Sequence, residues 1–377
     1  MRIGSVRKLT TSSASKAAFL ARTTVAPQMA RCPELPTSFV PRSALFLSTP
    51  QNLPKMIENA ITLHTQKGLQ VVVAGVDRTV PNGASNGVSE LWLEAPMKIG
   101  RSALLSAKDA SPPLRESDGI NPVGAKVHWK NIQGILHLDI QGNRIDVSLA
   151  NTAFATGTLT TLFYFDKSDD GAAHQPHSDN MGQTLSSLHV KLPQLTPALK
   201  PPVSSDRWTP LTDDDSLIIT KCTGNLVKGI NGHPAAQYLE KNNKLMSIAS
   251  KETKVYVKVF SNHSGTQPKK YEVIAGGGGW GAKADLLAIS PEAKLAKGDR
   301  LEFYMVTPSD RFSQQTAAVV SQQVLFECAP EATRYEEHVS SSQTVEHLFG
   351  GGSEMGFAVN GVNYRSPGES ISFAYSQ

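Results

Sequence analysis

The sequence predicts an α+β fold, with mixed β-sheets and flanking helices arranged in two halves of related size. Two observations lead to it. Early in the chain an apolar strand, an amphipathic helix and a second apolar strand follow one another as a β-α-β unit. Beyond it, short strand-like segments bounded by Gly, Asn and Pro recur with helical stretches set between them. The chain has 377 residues, of which 40% are hydrophobic and 19% charged, enough to bury the cores of two ordinary domains.

The amino-terminal segment is read first. Arg2, Arg7, Lys8, Lys16, Arg22 and Arg31 all precede the first acidic residue, Glu34, and Ser and Thr are frequent among them. A cationic, acid-free stretch of this kind is what a matrix-targeting peptide needs, because the membrane potential draws it inward. Residues 1–33 are therefore expected to form a mitochondrial transit peptide. Val6, Leu9, Phe19 and Leu20 would supply the apolar side of its helix, and cleavage is expected between about residues 22 and 40. A disordered basic tail is the rival reading. Removing these six charges from the formal +4 leaves −2 for the rest of the chain, which argues against a nucleic-acid-binding surface. No apolar run reaches the length of a spanning helix. Three cysteines, Cys32, Cys222 and Cys328, are too few for a disulfide framework.

Residues 42–190 read as the first half. SALFLS (43–48) is a buried strand, and LPKMIENAITLHTQ (53–66) places Met56, Ile57, Ala60, Ile61 and His64 on one helical face ended by Gly68. LQVVVAGV (69–76) is a continuous β-branched strand covered on both faces. Strands follow at 89–93, 125–129, 132–141 and 144–150, the last two joined by a hairpin at Gly142-Asn143, and then at 159–165. Residues 191–215 hold Pro193, Pro197, Pro201, Pro202 and Pro210 and read as a linker.

Residues 216–377 form the second half. It has strands at 216–220, 225–230, 253–260, 270–275, 300–306, 323–327, 356–359 and 370–375, a tight turn at Asn231-Gly232, and helices expected over 235–241, 282–289 and 332–345.

Several residue groups carry candidate chemistry. Gly276, Gly278 and Gly281 in GGGGWG fit a G-x-G-x-x-G spacing between a strand and an expected helix, yet Asp299 stands before the next strand instead of after it, so a flexible rim loop is the favoured reading. His174 and His177, with Asp169, Asp170 and Asp179, sit in a polar stretch that reads as a solvated loop instead of a metal site. Cys222 and Cys328 read as structural thiols, because no local base is visible. Neither G-x-S-x-G nor a Walker loop is present, and no catalytic residue, metal or cofactor is assigned.

The order of the second-half pieces resembles the carboxy-terminal part of the FIST family, a small-ligand sensor module of signalling and F-box proteins. The pieces are Asn231-Gly232-His233-Pro234-Ala235, then Gly298-Asp299-Arg300-Leu301-Glu302-Phe303, Leu325-Phe326-Glu327-Cys328, Gly356-Phe357 and Gly368-Glu369. The strand-helix-strand of the first half is similar to the family's amino-terminal part, so the likeness spans about residues 42–377. It departs from the family after Cys328, where Ala329-Pro330-Glu331 stand ahead of the displaced Arg334. The resemblance implies a small-ligand-binding or scaffold protein, more a binding module than an enzyme, with a site between the halves or beneath the glycine run. Its candidate residues are Asn231, Gly232, His233, Gly277, Gly278, Cys328 and Glu369. Expected partners are a small-molecule ligand, mitochondrial proteins and the import and processing machinery. The alternatives are an interaction subunit of a mitochondrial assembly such as the gene-expression machinery, and a dinucleotide-dependent oxidoreductase using Gly276–Gly281.

Overall fold

The computed structural model describes residues 16–26, 33–80, 83–104, 134–166, 185–212, 217–247, 254–262, 268–276, 285–306, 322–328 and 342–375. It overturns the expected α+β class. Strand accounts for 54% of the described residues and helix for 11%, so among them sheets build the architecture and the helices do not flank it as layers. By contact the chain forms two units. Residues 1–204, 318–365 and 370–377 make unit 1, and residues 205–317 with 366–369 make unit 2. The first boundary falls inside the proline-rich 191–215 segment, but the units are not consecutive halves, because most of the chain after residue 317 returns to unit 1.

Unit 1 opens with β1 (Ala17–Val25), β2 (Ser43–Ser48), α1 (Leu53–Lys67), β3 (Gln70–Gly75) and β4 (Gly87–Leu93). The expected β-α-β unit is present: β2 and β3 pair in parallel from Ser43 against Gln70 to Ser48 against Gly75. Helical spacing puts Met56, Ala60 and Leu63 of α1 into a cluster with Phe46, Val71, Val73 and Trp92, while Ile61 stays 41% exposed.

The strand β1 corrects the helix expected at the amino terminus. Phe19 and Leu20 belong to a strand that runs antiparallel to β4, from Phe19 opposite Leu93 to Val25 opposite Gly87. Its Ala17, Ala21 and Thr23 are buried. Arg22, counted among the leader charges, pairs with buried Glu90 at 2.8 Å and donates to the Glu34 carbonyl at 2.6 Å. The Trp92 indole N–H donates to the same Glu90 carboxylate at 2.9 Å. Residues 1–15 and 27–32 of the targeting segment lie outside the described residues.

The chain continues with β5 (Lys98–Leu104), β6 (Ile135–Ile140), β7 (Asn143–Ser148), α2 (Ala153–Thr156), β8 (Leu162–Phe165), β9 (Leu185–Lys191), β10 (Leu195–Thr196) and β11 (Val203–Asp206). The β6–β7 hairpin turns one residue earlier than its sequence suggested. Gln141 (φ 52°) and Gly142 (φ 85°) are its central residues, and Asn143 already pairs with Ile140. The strand expected over 125–129 and the loop with His174 and His177 lie outside the described residues.

Unit 2 carries β12 (Trp208–Pro210), β13 (Leu217–Thr223), β14 (Leu226–Ile230), β15 (His233–Pro234), α3 (Gln237–Glu240) and α4 (Asn243–Ser247), then β16 (Val255–Phe260), β17 (Lys269–Gly276), β18 (Leu287–Ile289) and β19 (Arg300–Val306). Antiparallel pairings run β13-β14-β18-β17-β16-β19 and from β19 back to β13, closing a six-stranded barrel. Closure leaves no free edge in the ring. The wall follows from period-two patterning. Leu301, Phe303 and Met305 of β19 are buried with Ile219, Val227, Val257 and Leu287, while Arg300, Glu302 and Tyr304 alternate with them. The helix expected over 235–241 is present as the shorter α3, whereas the described end of the 282–289 stretch is the strand β18.

The returning chain supplies β20 (Gln323–Cys328), β21 (Gln343–Glu346), β22 (Leu348–Ser353), β23 (Phe357–Val359), β24 (Val362–Tyr364) and β25 (Glu369–Ala374). The described end of the expected 332–345 helix is thus the strand β21. These strands complete three sheets ordered β10-β1-β4-β2-β3-β8 with β21 beside β1, β24-β23-β7-β6-β9-β5, and β11-β25-β20-β22. One core joins them, with Leu45, Leu47 and Leu91 packed with Leu136, Val190, Phe326, Phe349 and Phe373.

Candidate ligand cleft on the barrel

The β14–β15 hairpin turns at Asn231 (φ 50°) and Gly232 (φ 80°), left-handed positions that Asn and Gly reach at least cost. Both predicted site residues hold this turn in place. The Asn231 N–H donates to the Ile218 carbonyl and its Oδ1 accepts from the Ile218 N–H, each at 2.9 Å. The Gly232 N–H donates to Thr220 Oγ1 at 3.2 Å.

The next residue, His233, is exposed and lines a cleft of about 600 Å³ with Leu211, Gln237, Tyr238, Lys241, Asn242, Asn243 and Lys244. Its walls are tied to the barrel by polar contacts. The Tyr238 hydroxyl donates to the Ile230 carbonyl at 3.3 Å, and the Asn242 amide donates to the Leu211 carbonyl at 2.6 Å while its Oδ1 accepts from the Leu245 N–H at 3.0 Å. The Lys241 ammonium donates to Gln237 Oε1 at 3.4 Å and that of Lys244 to the Pro210 carbonyl at 3.3 Å. Among the described residues the lining contains lysines and a histidine and no carboxylate. Its volume falls in the range of small-molecule sites, roughly 300–1,000 Å³. Such a surface can hold a polar molecule with an anionic group by charge and hydrogen bonding.

The remaining predicted residues fall elsewhere. Glu369 is a structural tie in unit 2. It accepts from Lys270 and from the Ser366 N–H at 2.9 Å, and Lys270 also lies 3.6 Å from Asp206 and 4.8 Å from the centroid of the Trp208 ring. Cys328 is 1% exposed within the unit 1 core. Gly277 and Gly278 lie outside the described residues. They stand between β17 and β18, which pair antiparallel. Asp299 is 2% exposed and accepts from the N–H groups of Ala296 and Asn262, so it closes the loop before β19 instead of facing a ribose.

Cys222 is half-buried, with its Sγ 3.7 Å from the Leu295 carbonyl. Burial, and then the Asp299 charge, push its thiol up, which lowers the thiolate fraction at neutral pH. Alkylation at pH 8 followed by peptide mass mapping is expected to modify Cys222 several-fold more slowly than a free thiol, and Cys328 only after denaturation. Labelling of native Cys222 at the free-thiol rate would contradict this.

Among the described residues no group of three or more His, Cys, Asp or Glu is placed to hold a metal ion, and no helix is long and apolar enough to cross a membrane. Fold and cleft together define a β-rich protein with a closed antiparallel barrel carrying a cationic, polar cleft. Compared with family models, curated proteins and solved structures, the chain matches none.

The sequence made the turn legible through its Asn-Gly pair. Lys241 and Lys244 were missed, because exposed lysines are common and only their three-residue spacing after the His233 turn marks them.

Proposed function

We propose that this chain is a small-ligand-binding, sensor-like protein whose barrel holds a polar metabolite with an anionic group against His233, Lys241 and Lys244. The observation that carries the reading is the described lining of the 600 Å³ cleft, which brings His233, Lys241 and Lys244 together with the neutral donors of Gln237, Tyr238 and Asn242. The likeness of the Asn231-to-Ala235 stretch to the ligand-sensing FIST module supports the same reading. A matrix location belongs to it as well, supported by Arg2, Arg7, Lys8 and Lys16 ahead of β1 with no acid among them.

Thermal melting of the full chain against mono- and dicarboxylates, phosphorylated metabolites and neutral analogues tests it. A ligand at one hundred times its Kd stabilises by about 2.7 kcal/mol, which is several degrees in Tm. The shift is expected for anionic ligands, and the Lys241→Gln/Lys244→Gln variant is expected to weaken binding at least tenfold without changing the melting of the free protein. A response confined to neutral compounds, or an unchanged affinity in the double variant, would refute the assignment.

A further inference from the structure

On unit 1 a second polar cluster lies across four neighbouring strands. Asp146 on β7, His137 on β6 and His189 on β9 are direct register partners in succession. The two imidazoles stack with centroids 4.0 Å apart and planes at 28°. His137 Nδ1 is 2.6 Å from Asp146 Oδ1, so that nitrogen carries the donated proton and Nε2 is left as the free ring position. Arg144 Nε donates to the same carboxylate oxygen at 2.9 Å.

The row ends at an irregularity. Between Ile99 opposite Val190 and Ser102 opposite Leu188, two residues of β5, Gly100 and Arg101, stand against the single residue His189. Bulges of this kind re-aim side chains and are frequent beside functional sites. A Cβ on Gly100 would come within 3.1 Å of His189 Cβ, so the glycine gives that imidazole its space. The result is a cleft of about 300 Å³, whose lining includes Lys98, Arg144 and Lys191 as well as both histidines. Among the described residues, and with Arg101, four permanent cations surround the row against two carboxylates, Asp139 and Asp146, each already engaged: Asp139 with Lys191 at 3.2 Å, Asp146 with His137 and Arg144.

We propose that this row is an anion site for a phosphate dianion, free or as a monoester, received by the stacked His137–His189 pair and the Arg144 guanidinium. Excess positive charge attracts the dianion, and imidazole N–H and guanidinium donors match its oxygens. His189 adds a pH dependence. Burial, then the positive field of His137, Arg144 and Arg101, outweigh the Asp146 carboxylate and hold it below the usual histidine range, which favours the neutral ring in the free protein. A bound dianion favours the protonated ring, so binding raises that pKa and, counted per dianion, tightens as pH falls.

The test is imidazole NMR of the labelled full chain, titrated with inorganic phosphate and separately with phenyl phosphate, at constant ionic strength kept with chloride. Saturable shifts confined to His137 and His189 are expected, with affinity, expressed per dianion present, at least fivefold higher at pH 6 than at pH 8. Arg144→Gln changes a half-exposed side chain and is expected to weaken binding at least tenfold with an unchanged Tm, and His189→Gln is expected to remove the pH dependence. A response to phosphate alone or to both probes supports the site and distinguishes free phosphate from an ester. Shifts no larger than those produced by chloride, or full affinity in both variants, would overturn it.

Discussion

A chain lacking residues 1–25 is expected to lose the cooperative melting of unit 1, whereas one lacking residues 1–15 keeps it. The difference is β1. Deleting it strips β4 of its Phe19-to-Val25 partner, β21 of its Arg22-to-Val25 partner and β10 of its contact with Ala17 and Ala18. It also leaves Glu90 buried without Arg22. Removing one member of a buried ion pair alone costs about 3–5 kcal/mol, against a total stability of about 5–15 kcal/mol. Arg22→Ala isolates that part of the loss and carries a pH signature. Burial pushes the Glu90 carboxyl up, and Arg22 pulls it partly back. A carboxyl raised in the folded state costs stability above that raised value, and the cost vanishes once pH falls below the unfolded value. Without Arg22 the carboxyl rises further. The destabilisation measured by urea unfolding is therefore expected to be largest at pH 8 and to shrink toward pH 4.5. Equal losses at the two pH values would mean that Glu90 is not the group responsible. The same reasoning bears on the proposed import: any processed form is expected to begin no later than Ala17, upstream of the window of about residues 22–40 that composition suggests. Intact mass of the protein recovered from cells would decide it.

Gly350→Ala is expected to be the most damaging single methyl in unit 1. Gly350 has φ 152°, and a Cβ there would lie 1.6 Å from the Leu325 carbonyl oxygen and 2.7 Å from its carbon. Both atoms belong to the backbone of β20, so no side chain can rotate away. Relief would require β22 to separate from β20 and break the Gly350 N–H contact to Ser89 Oγ at 2.9 Å. A loss above about 4 kcal/mol is expected, enough to leave little folded protein. Gly142→Ala is the control. Its φ is 85°, but nothing lies within 4 Å of an added Cβ, so only the backbone cost of about 1–2 kcal/mol applies. Chemical denaturation of the pair would expose an error if Gly350→Ala melted within two or three degrees of the parent protein.

What the sequence revealed was local. The β2-α1-β3 unit was legible because its helix has period 3.6 and its strands are uninterrupted apolar runs. Strands β16 and β19 were each found by alternation, yet nothing in either segment says that they pair with each other, and that pairing closes the barrel. Fold class failed for this reason, compounded by apolar stretches such as 282–289 whose length suits either a short helix or a loop running into a strand. Turn chemistry located Asn231 and Gly232 and so the rim of the cleft, whereas Glu369 is tied to Lys270 and Ser366 and Cys328 lies in the unit 1 core, neither of them in its lining. His137 and His189 stayed invisible because only the parallel register of β6 and β9 sets them side by side.

The interrupted order of unit 1 also sets a schedule for its assembly. Thr24 hydrogen-bonds Thr344 across a sequence separation of 320 residues, with the whole barrel encoded between them. At about 5–20 residues per second, ribosomes need roughly a quarter of a minute to a minute to supply that second strand. The barrel's own strands emerge together and can close while translation continues. The earlier sheet waits with the Arg22-to-Val25 side of β1 unpaired by β21 until that strand has been made. A nascent chain stalled before residue 343 would therefore present a formed barrel attached to an unfinished, chaperone-dependent partner.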